Sequence, residues 1–517
     1  MGEAKRPQEP TLKPVSQALA EAMACLETPG GRLQVRWDEG AAVTPFGQMA
    51  YFIEFLNLTG LLDAWIADCP LTYLSPNAPT KRDLPGTWLL SILAGHKRYA
   101  HVTSIRSDGV NPGLLGMQKV VSEDALRRGL AKIEEEPGVA WLRGQLERSV
   151  LPLLKAPWIL DVDTTVKVLY GRQEGAVVGY NPKKPGRPSH TYHTYLVAGL
   201  RLVLDAEVLA GNEGNSSHTL PGLTRLLDRL AEGQRPYLVR GDCGFGNDPV
   251  MRELEQRGQH YLFKLRLTAG VRRHIERHFG GSWADAGAGR EGMDGELRLS
   301  GWDREWRVVV LRRRLQGEVL LAGQPQGQQV LAFLEEEGPV QRYEYAVLVT
   351  SLPHEVRAVA QLYRDRGDAE NGFDELKNQW GWGGFATQDL HRCQLTARAV
   401  ALAYTWWSLF VRLAHPKARL EAITSRPLLL AGIAEQTRHA RQERLTITPV
   451  HGKGGQARAM LEKVSALLQG WRDAAEQLKL KTVWEAVCDH LITILTRFDW
   501  LAPGLEPPGS VAEAAPG

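Results

Sequence analysis

An α/β fold flanked by helical regions is predicted by three features of this 517-residue sequence. Short β-rich runs alternate with two helical patterns between residues 157 and 267, in the order βββαβαβ. On either side, at about 46–150 and from 354 to about 500, apolar residues recur at helical spacing. The composition, 43% hydrophobic and 23% charged, is that of a globular chain with enough apolar surface for a large core.

The length gives a prior of three to four domains at roughly 150 residues each, which excludes a single small binding module. Residues 1–15 and 504–517 are rich in Pro, Gly, Ala and Glu and read as disordered tails. Residues 16–150 form a helical N-terminal region, with FGQMAYFIEFLNLTGLLDAWI, LPGTWLLSILAGHKRYAHV and SEDALRRGLAKI as its helices and Ser122 as an N-cap. The runs WILDVDTTVKVLY, HTYLVAGLRLVL, AEVLAG, PYLVRGDCGF and HYLFKLRL are the strands of a core whose first part is 151–269, with helices at about 217–232 and 248–257. A second strand-rich block, 270–350, contains WRVVVLRRR, QVLAFLEEE and YEYAVLVTSL. Residues 351–385 return to helix, and 386–503 continue as a C-terminal helical region, where Trp406 and Trp407 read as helix core.

The formal charge of +3 names no partner. Locally the balance shifts. Residues 164–204 hold Lys167, Arg172, Lys183, Lys184, Arg187 and Arg201 against Glu174 alone, and 264–277 hold five cations against Glu276. Such clusters beside a sheet suit a phosphate backbone, a solvated basic face being the plainer reading. Five dispersed cysteines form no zinc or disulfide pattern, which fits a reducing, cytoplasmic setting. The polar start MGEAKRPQEPTLKP has no signal-peptide character, and no apolar run reaches the roughly 18 residues of a membrane span.

The chemistry is carried by carboxylates. Asp161 and Asp163 lie two apart in the apolar run WILDVDTTV, so a strand puts both on one face. Buried acids require either a cationic partner or a metal ion; an acid capping a turn at the strand end is the structural alternative. Asp242, in YLVRGDCGFG, falls where a strand enters a glycine-rich turn, the end at which open α/β sheets place ligands, although a plain turn residue is also common there. Further on, a continuous helix at about 100° per residue would set Tyr363, Arg366, Glu370 and Lys377 on one narrow stripe, with Leu362, Phe373 and Leu376 elsewhere. A solvated stripe with an Arg366–Glu370 pair is the bland account of that face. Scattered His193, His218 and His260 show no ligand spacing.

These motifs resemble the DDE transposases of bacterial insertion sequences, in the group with a Tyr-x2-Arg-x3-Glu-x6-Lys signature, which residues 363–377 meet at all four positions. D-T-T-V at 163–166 resembles the first aspartate's motif, G-D-C-G-F-G at 241–246 the second's, and QEGAVVGYNPKKPGRPSH a stretch that follows the first in one subgroup. The resemblance implies a ribonuclease-H-like catalytic core, completed at 351–385 by the glutamate helix and interrupted at 270–350 by a β-rich insertion. It also implies an N-terminal DNA-binding region and a C-terminal region for dimerisation and DNA contacts. The 128 residues between Asp242 and Glu370 leave room for such an insertion. By the same resemblance Asp163, Asp242 and Glu370 are the catalytic metal ligands, and Tyr363, Arg366 and Lys377 contact phosphate; Lys183, Lys184 and Arg187 are further DNA-binding candidates. Two Mg²⁺ ions, with Mn²⁺ as a substitute, are the implied cofactors.

The implied activity is cut-and-paste transposition: binding of transposon-end inverted repeats, phosphodiester hydrolysis, and joining of the freed 3′-hydroxyl to target DNA. The implied partners are transposon-end duplex, target DNA and a second copy of the chain in a synaptic homodimer, in the bacterial cytoplasm and on the nucleoid when DNA-bound. The resemblance also implies a flipped base stacked on an aromatic ring, for which Trp283, Trp302 and Trp306 are candidates, with ordinary packing the plainer reading. Two other readings share these residues: a metal-dependent nuclease without strand transfer, and a catalytically inactive, transposase-derived regulator.

Overall fold

The computed structural model describes residues 24–315 and 343–497, apart from 74, 76, 155, 156, 183, 386, 479 and 480. At its centre is a ten-stranded mixed sheet. Pro188–Val197 runs antiparallel to both Ile159–Val168 and Leu202–Ala210, and Val177–Val178 adds a short edge to it. After the helix Asn215–Arg229, Leu238–Gly241 lies parallel to Ile159–Val168 on its other side; after the helix Asp248–Gln256, His260–Lys264 continues the parallel set. The expected βββαβαβ order is therefore present, with one shift of boundary. The run HTYLVAGLRLVL contains a hairpin turn, marked by positive φ at Gly199 and Arg201, so AEVLAG is the end of the third strand and not a strand of its own.

Two further expectations are corrected, and a third gains a detail. The β-rich block expected at 270–350 extends the core sheet: Tyr343–Thr350 pairs antiparallel with His260–Lys264, and Trp306–Arg314, Arg290–Leu297 and Ala284–Gly287 follow outward in the same sheet. The seam is sealed by Val347, Leu348 and Val349, all fully buried, so separating the block would expose core. The run QVLAFLEEE lies outside the described residues, as do both predicted tails.

The C-terminal region is not wholly helical. Ile433–His439 and Gln442–Thr448 form a hairpin whose first strand also pairs with Ala42–Thr44. The N-terminal region likewise opens on a hairpin, Ala24–Thr28 with Gly31–Val35. Finally, the predicted continuous helix at 354–378 is two helices, Val356–Arg364 and Gly367–Gln379. At the break the Arg366, Asp368 and Ala369 amides each reach back three residues, to Tyr363, Asp365 and Arg366. The backbone tightens there into 3₁₀ turns around Gly367, a poor helix former, and Arg366 is turned inward.

The two helical regions and the sheet share one apolar core, reaching from Met49 to Leu491. Leu390–Ala414 is its axis, packed on Glu135–Val150 and on Leu202–Ala210. As predicted, Trp406 and Trp407 are core residues of that helix; their indole N–H groups donate to Ser149 and Ser425. Ser122 caps its helix by accepting from the Ala125 amide. Asp205 on the third strand pairs with Arg143, Arg229 and Arg398, which ties the sheet to both helical regions. Among the described residues no helix is long and apolar enough to cross a membrane.

Candidate active site

The first two acids are juxtaposed by strand register. Val162 is level with Gly241 in the parallel pair, so one step further along Asp163, within its strand, and Asp242, just past the end of the neighbouring one, lie side by side, roughly 5 Å apart at the backbone. Asp242 has just left its strand, and its carboxylate accepts the Gly244 amide at 2.9 Å, closing an Asx turn. Gly241 is required by proximity: a Cβ there would stand 2.8 Å from the Phe245 ring and 3.0 Å from Val162.

Asp161, the rival acid, faces the same way as Asp163 but has another fate. It is fully buried and gripped on both oxygens by Arg240, at 2.6 and 2.7 Å, and Arg240 also donates to the Leu362 carbonyl. Sequence reasoning missed Arg240, although a lone cation in the apolar run YLVRGD was a signal that some buried carboxylate awaited it.

Glu370 arrives from the helix after the break. The intervening residue, Arg366, is buried, and its guanidinium bridges two of the candidate acids, 3.2 Å from Asp163 and 2.9 Å from Glu370. The single helical stripe expected for these four residues is thus divided: Glu370 is exposed, Lys377 and Tyr363 half-buried, and Arg366 turned toward the sheet. Leu362, Phe373 and Leu376 are buried, as the helical wheel required.

The electrostatics follow from this packing. Burial pushes the Asp163 carboxyl above its ordinary value; Arg366 opposes that, Asp242 adds to it, Lys377 opposes it and Glu370 adds to it. Burial also raises the Tyr363 phenol, against the pull of Arg366 and with the push of Asp242 and Glu370. For Arg366, burial works against the charge, but Asp163, Asp161, Tyr363 and Asp242 outweigh it and hold the guanidinium firmly protonated. Asp163, Asp242, Tyr363, Arg366, Glu370 and Lys377 therefore act on one another as a single cluster.

Among the described residues no three or more His, Cys, Asp or Glu side chains stand close enough together to hold a metal ion. The Arg366 guanidinium instead supplies positive charge between Asp163 and Glu370. The donor chemistry nevertheless fits a hard divalent cation, being all carboxylate oxygen without histidine or thiolate.

The other predicted residues lie apart from these contacts. Lys184 and Arg187 are exposed and set over the Tyr170 ring, and Lys183 is outside the described residues. Tyr180, in the Gly-Tyr-Asn-Pro-Lys stretch, is exposed beneath Arg266. Trp302 and Trp306 are buried packing residues, whereas Trp283 is half-buried with Arg312 stacked on its ring at 4.1 Å. His193 bonds Thr164 and the Glu213 carbonyl, His218 pairs with Glu207, and His260 meets Ser351, all structural roles.

A cryo-EM structure of a piggyBac transposase synaptic complex with hairpin DNA is similar at 9% identity and a TM-score of 0.37, over 87% of this chain and 85% of that one. No curated protein matches. A family model does: transposase DDE domain group 1 covers residues 87–468, which takes in all three candidate acids and the helices that frame them, and the chain belongs to that family.

Proposed function

We propose that this transposase binds the inverted repeats at the ends of its element, hydrolyses a phosphodiester at each end, and joins the freed 3′-hydroxyls to target DNA. The observation that carries the reading is the meeting of Asp163 and Glu370 on Arg366, with Asp242 in register beside Asp163. The strand order, three antiparallel strands followed by two parallel ones on the far side of the first, supports a ribonuclease-H-like core.

Asp163, Asp242 and Glu370 are the residues that would hold divalent cations, two Mg²⁺ in our reading. Bound there, such ions supply Lewis-acid polarisation of phosphate oxygens and activation of water. The chain's own residues do the rest. Arg366 neutralises the carboxylates before DNA arrives, then exchanges them for a phosphate of the incoming strand. Lys377, half-buried and without a carboxylate ion-pair partner among the described residues, supplies a second cation to the same backbone. In hydrolysis a water oxygen bonds to phosphorus as the P–O3′ bond breaks and the 3′ oxygen takes up a proton. In joining, that 3′-hydroxyl attacks a target phosphodiester and releases another 3′ oxygen. No protein nucleophile enters either step. Two ends must be held together, so the working unit is a homodimer acting in the bacterial cytoplasm.

Incubating the full chain with an end duplex, a target plasmid and Mg²⁺ tests this. Joined products that vanish with Asp242→Asn are expected. Cleavage without joining would leave a nuclease, and no metal-dependent product from the wild type would overturn the reading.

A further inference from the structure

The hairpin Ile433–His439/Gln442–Thr448 stands in a region whose sequence pattern is otherwise helical, and it has no part in the site described above. Its foot is fixed to the body. Ala434, Glu435 and Gln436 pair with Thr44, Val43 and Ala42, the Gly47 amide donates to the Gly432 carbonyl at 2.6 Å, and Ala434 is buried. Beyond that foot it stands clear of the protein: every residue from Thr437 to Arg444 is exposed.

The tip is a two-residue turn, with Ala440 at φ 47° and Arg441 at φ 67°. Both central positions of such a turn favour Gly, Asn or Asp, because other residues are strained in the left-handed region. Here an alanine and an arginine occupy them, and no packing at the tip compensates. Strained positions of this kind cluster at functional sites.

The charge gives that function a direction. Arg438, Arg441 and Arg444 have no carboxylate ion-pair partner among the described residues, unlike the arginines that tie the core together. Glu443, level with Arg438 across the hairpin, accepts instead from the Gln436 amide at 3.1 Å. Thr437, His439, Gln442 and Arg444 project from one face, all of them hydrogen-bonding residues. The free part, three residues on each strand at roughly 3.4 Å per residue, stands on the order of 10 Å clear of the body. A two-stranded ribbon is one of the two elements that the major groove of B-form DNA, about 12 Å wide, admits.

We propose that the 433–448 hairpin is a DNA-reading ribbon that enters the major groove of duplex DNA, with Arg438, Arg441 and Arg444 on phosphates and base edges. This rests on the DNA-acting function proposed above and adds a contact surface distinct from the acidic cluster.

The test compares the full-length wild type with the triple variant Arg438→Ala/Arg441→Ala/Arg444→Ala. Binding to a fluorescein-labelled mixed-sequence duplex is followed by anisotropy across a salt series. The variant should melt at the wild-type temperature, since none of the three supports the core. It should bind more weakly at every salt concentration, with a salt slope lower by roughly one unit for each phosphate no longer neutralised. Substituting 7-deazaguanine for guanine, which removes a major-groove acceptor, should weaken the wild type and leave the variant unaffected.

An unchanged slope alongside normal wild-type binding would overturn the ribbon and leave the transposase reading standing. Absence of DNA binding by the wild type would overturn both. A variant that keeps its slope but changes from dimer to monomer in sedimentation would assign the hairpin to a contact between copies of the chain, and the proposal would fail.

Discussion

Arg240 holds both oxygens of Asp161 through the Nε–Nη2 edge of its guanidinium while Nη1 donates to the carbonyl of Leu362, so one buried cation joins the strand that carries Asp163 to the helix that precedes Glu370. Removing one member of a buried pair leaves an uncompensated charge, which costs about 3–5 kcal/mol. Arg240→Met should lower the unfolding free energy by that order in urea titration. Arg240→Met with Asp161→Leu should recover most of the loss. A single variant as stable as wild type would show that the pair contributes nothing net.

Asp163 should behave in the opposite way. Its carboxyl is raised by burial and shares Arg366 with Glu370, so Asp163→Asn removes little that the fold depends on. Its melting temperature should stay near wild type while Mg²⁺-dependent end cleavage falls by more than the roughly 10–100-fold typical of outer-shell losses. If instead Asp161→Asn, measured in parallel and correctly folded, abolishes cleavage and Asp163→Asn retains it, the two acids have exchanged roles.

Holding DNA and cutting it should separate on the glutamate helix. Lys377→Ala should weaken end binding and lower the salt slope by about one unit. Glu370→Gln should bind ends at least as well as wild type and fail to cleave. Arg366 adds a condition: because it is tied to Asp163 and Glu370, its contribution to the slope should appear only when a divalent cation is present to take the carboxylates from it. A salt series with and without Mg²⁺ decides this; an Arg366→Ala slope equal to wild type in both would make the bridge purely structural.

Acid should unfold this protein partly through His193. Burial, and next the neighbouring His218, lower its pKa to about 4, and the ring is held neutral between Thr164 and the Glu213 carbonyl. Its folded value lies below the unfolded value of about 6.5, so the contribution is full above that pH and is lost as pH falls toward 4. At roughly 1.4 kcal/mol per unit, the group accounts for about 3 kcal/mol across the window. Stability measured from pH 7 to 4 should fall less steeply in His193→Gln, and an identical slope would remove His193 from the account.

Gly241→Ala should damage the site through its backbone. A methyl group would stand 2.8 Å from Phe245 and 3.0 Å from Val162, so the strand end must shift and carry Asp242 out of register with Asp163. We expect a loss of about 1–3 kcal/mol from overpacking together with reduced cleavage. Wild-type cleavage rates in this variant would show that the register tolerates displacement.

The sequence alone determined what depends on short-range periodicity. Alternation in WILDVDTTV made a strand with two acids on one face, 3.6-residue spacing buried Leu362, Phe373 and Leu376, and turn chemistry set Asp242 just beyond its strand. Tertiary structure decided everything that required a partner distant in the chain. Arg240, 79 residues from Asp161, chose which of the two acids is locked into a fully buried bidentate pair. The fit of Val347, Leu348 and Val349 against the core joined the outer strands to the central sheet, and Arg366 left its helical stripe toward Asp163, which lies inward on the sheet. The Ala440–Arg441 turn carried no glycine or asparagine to announce it, since its geometry is imposed by the pairing of the strands on either side and not by the residues in it.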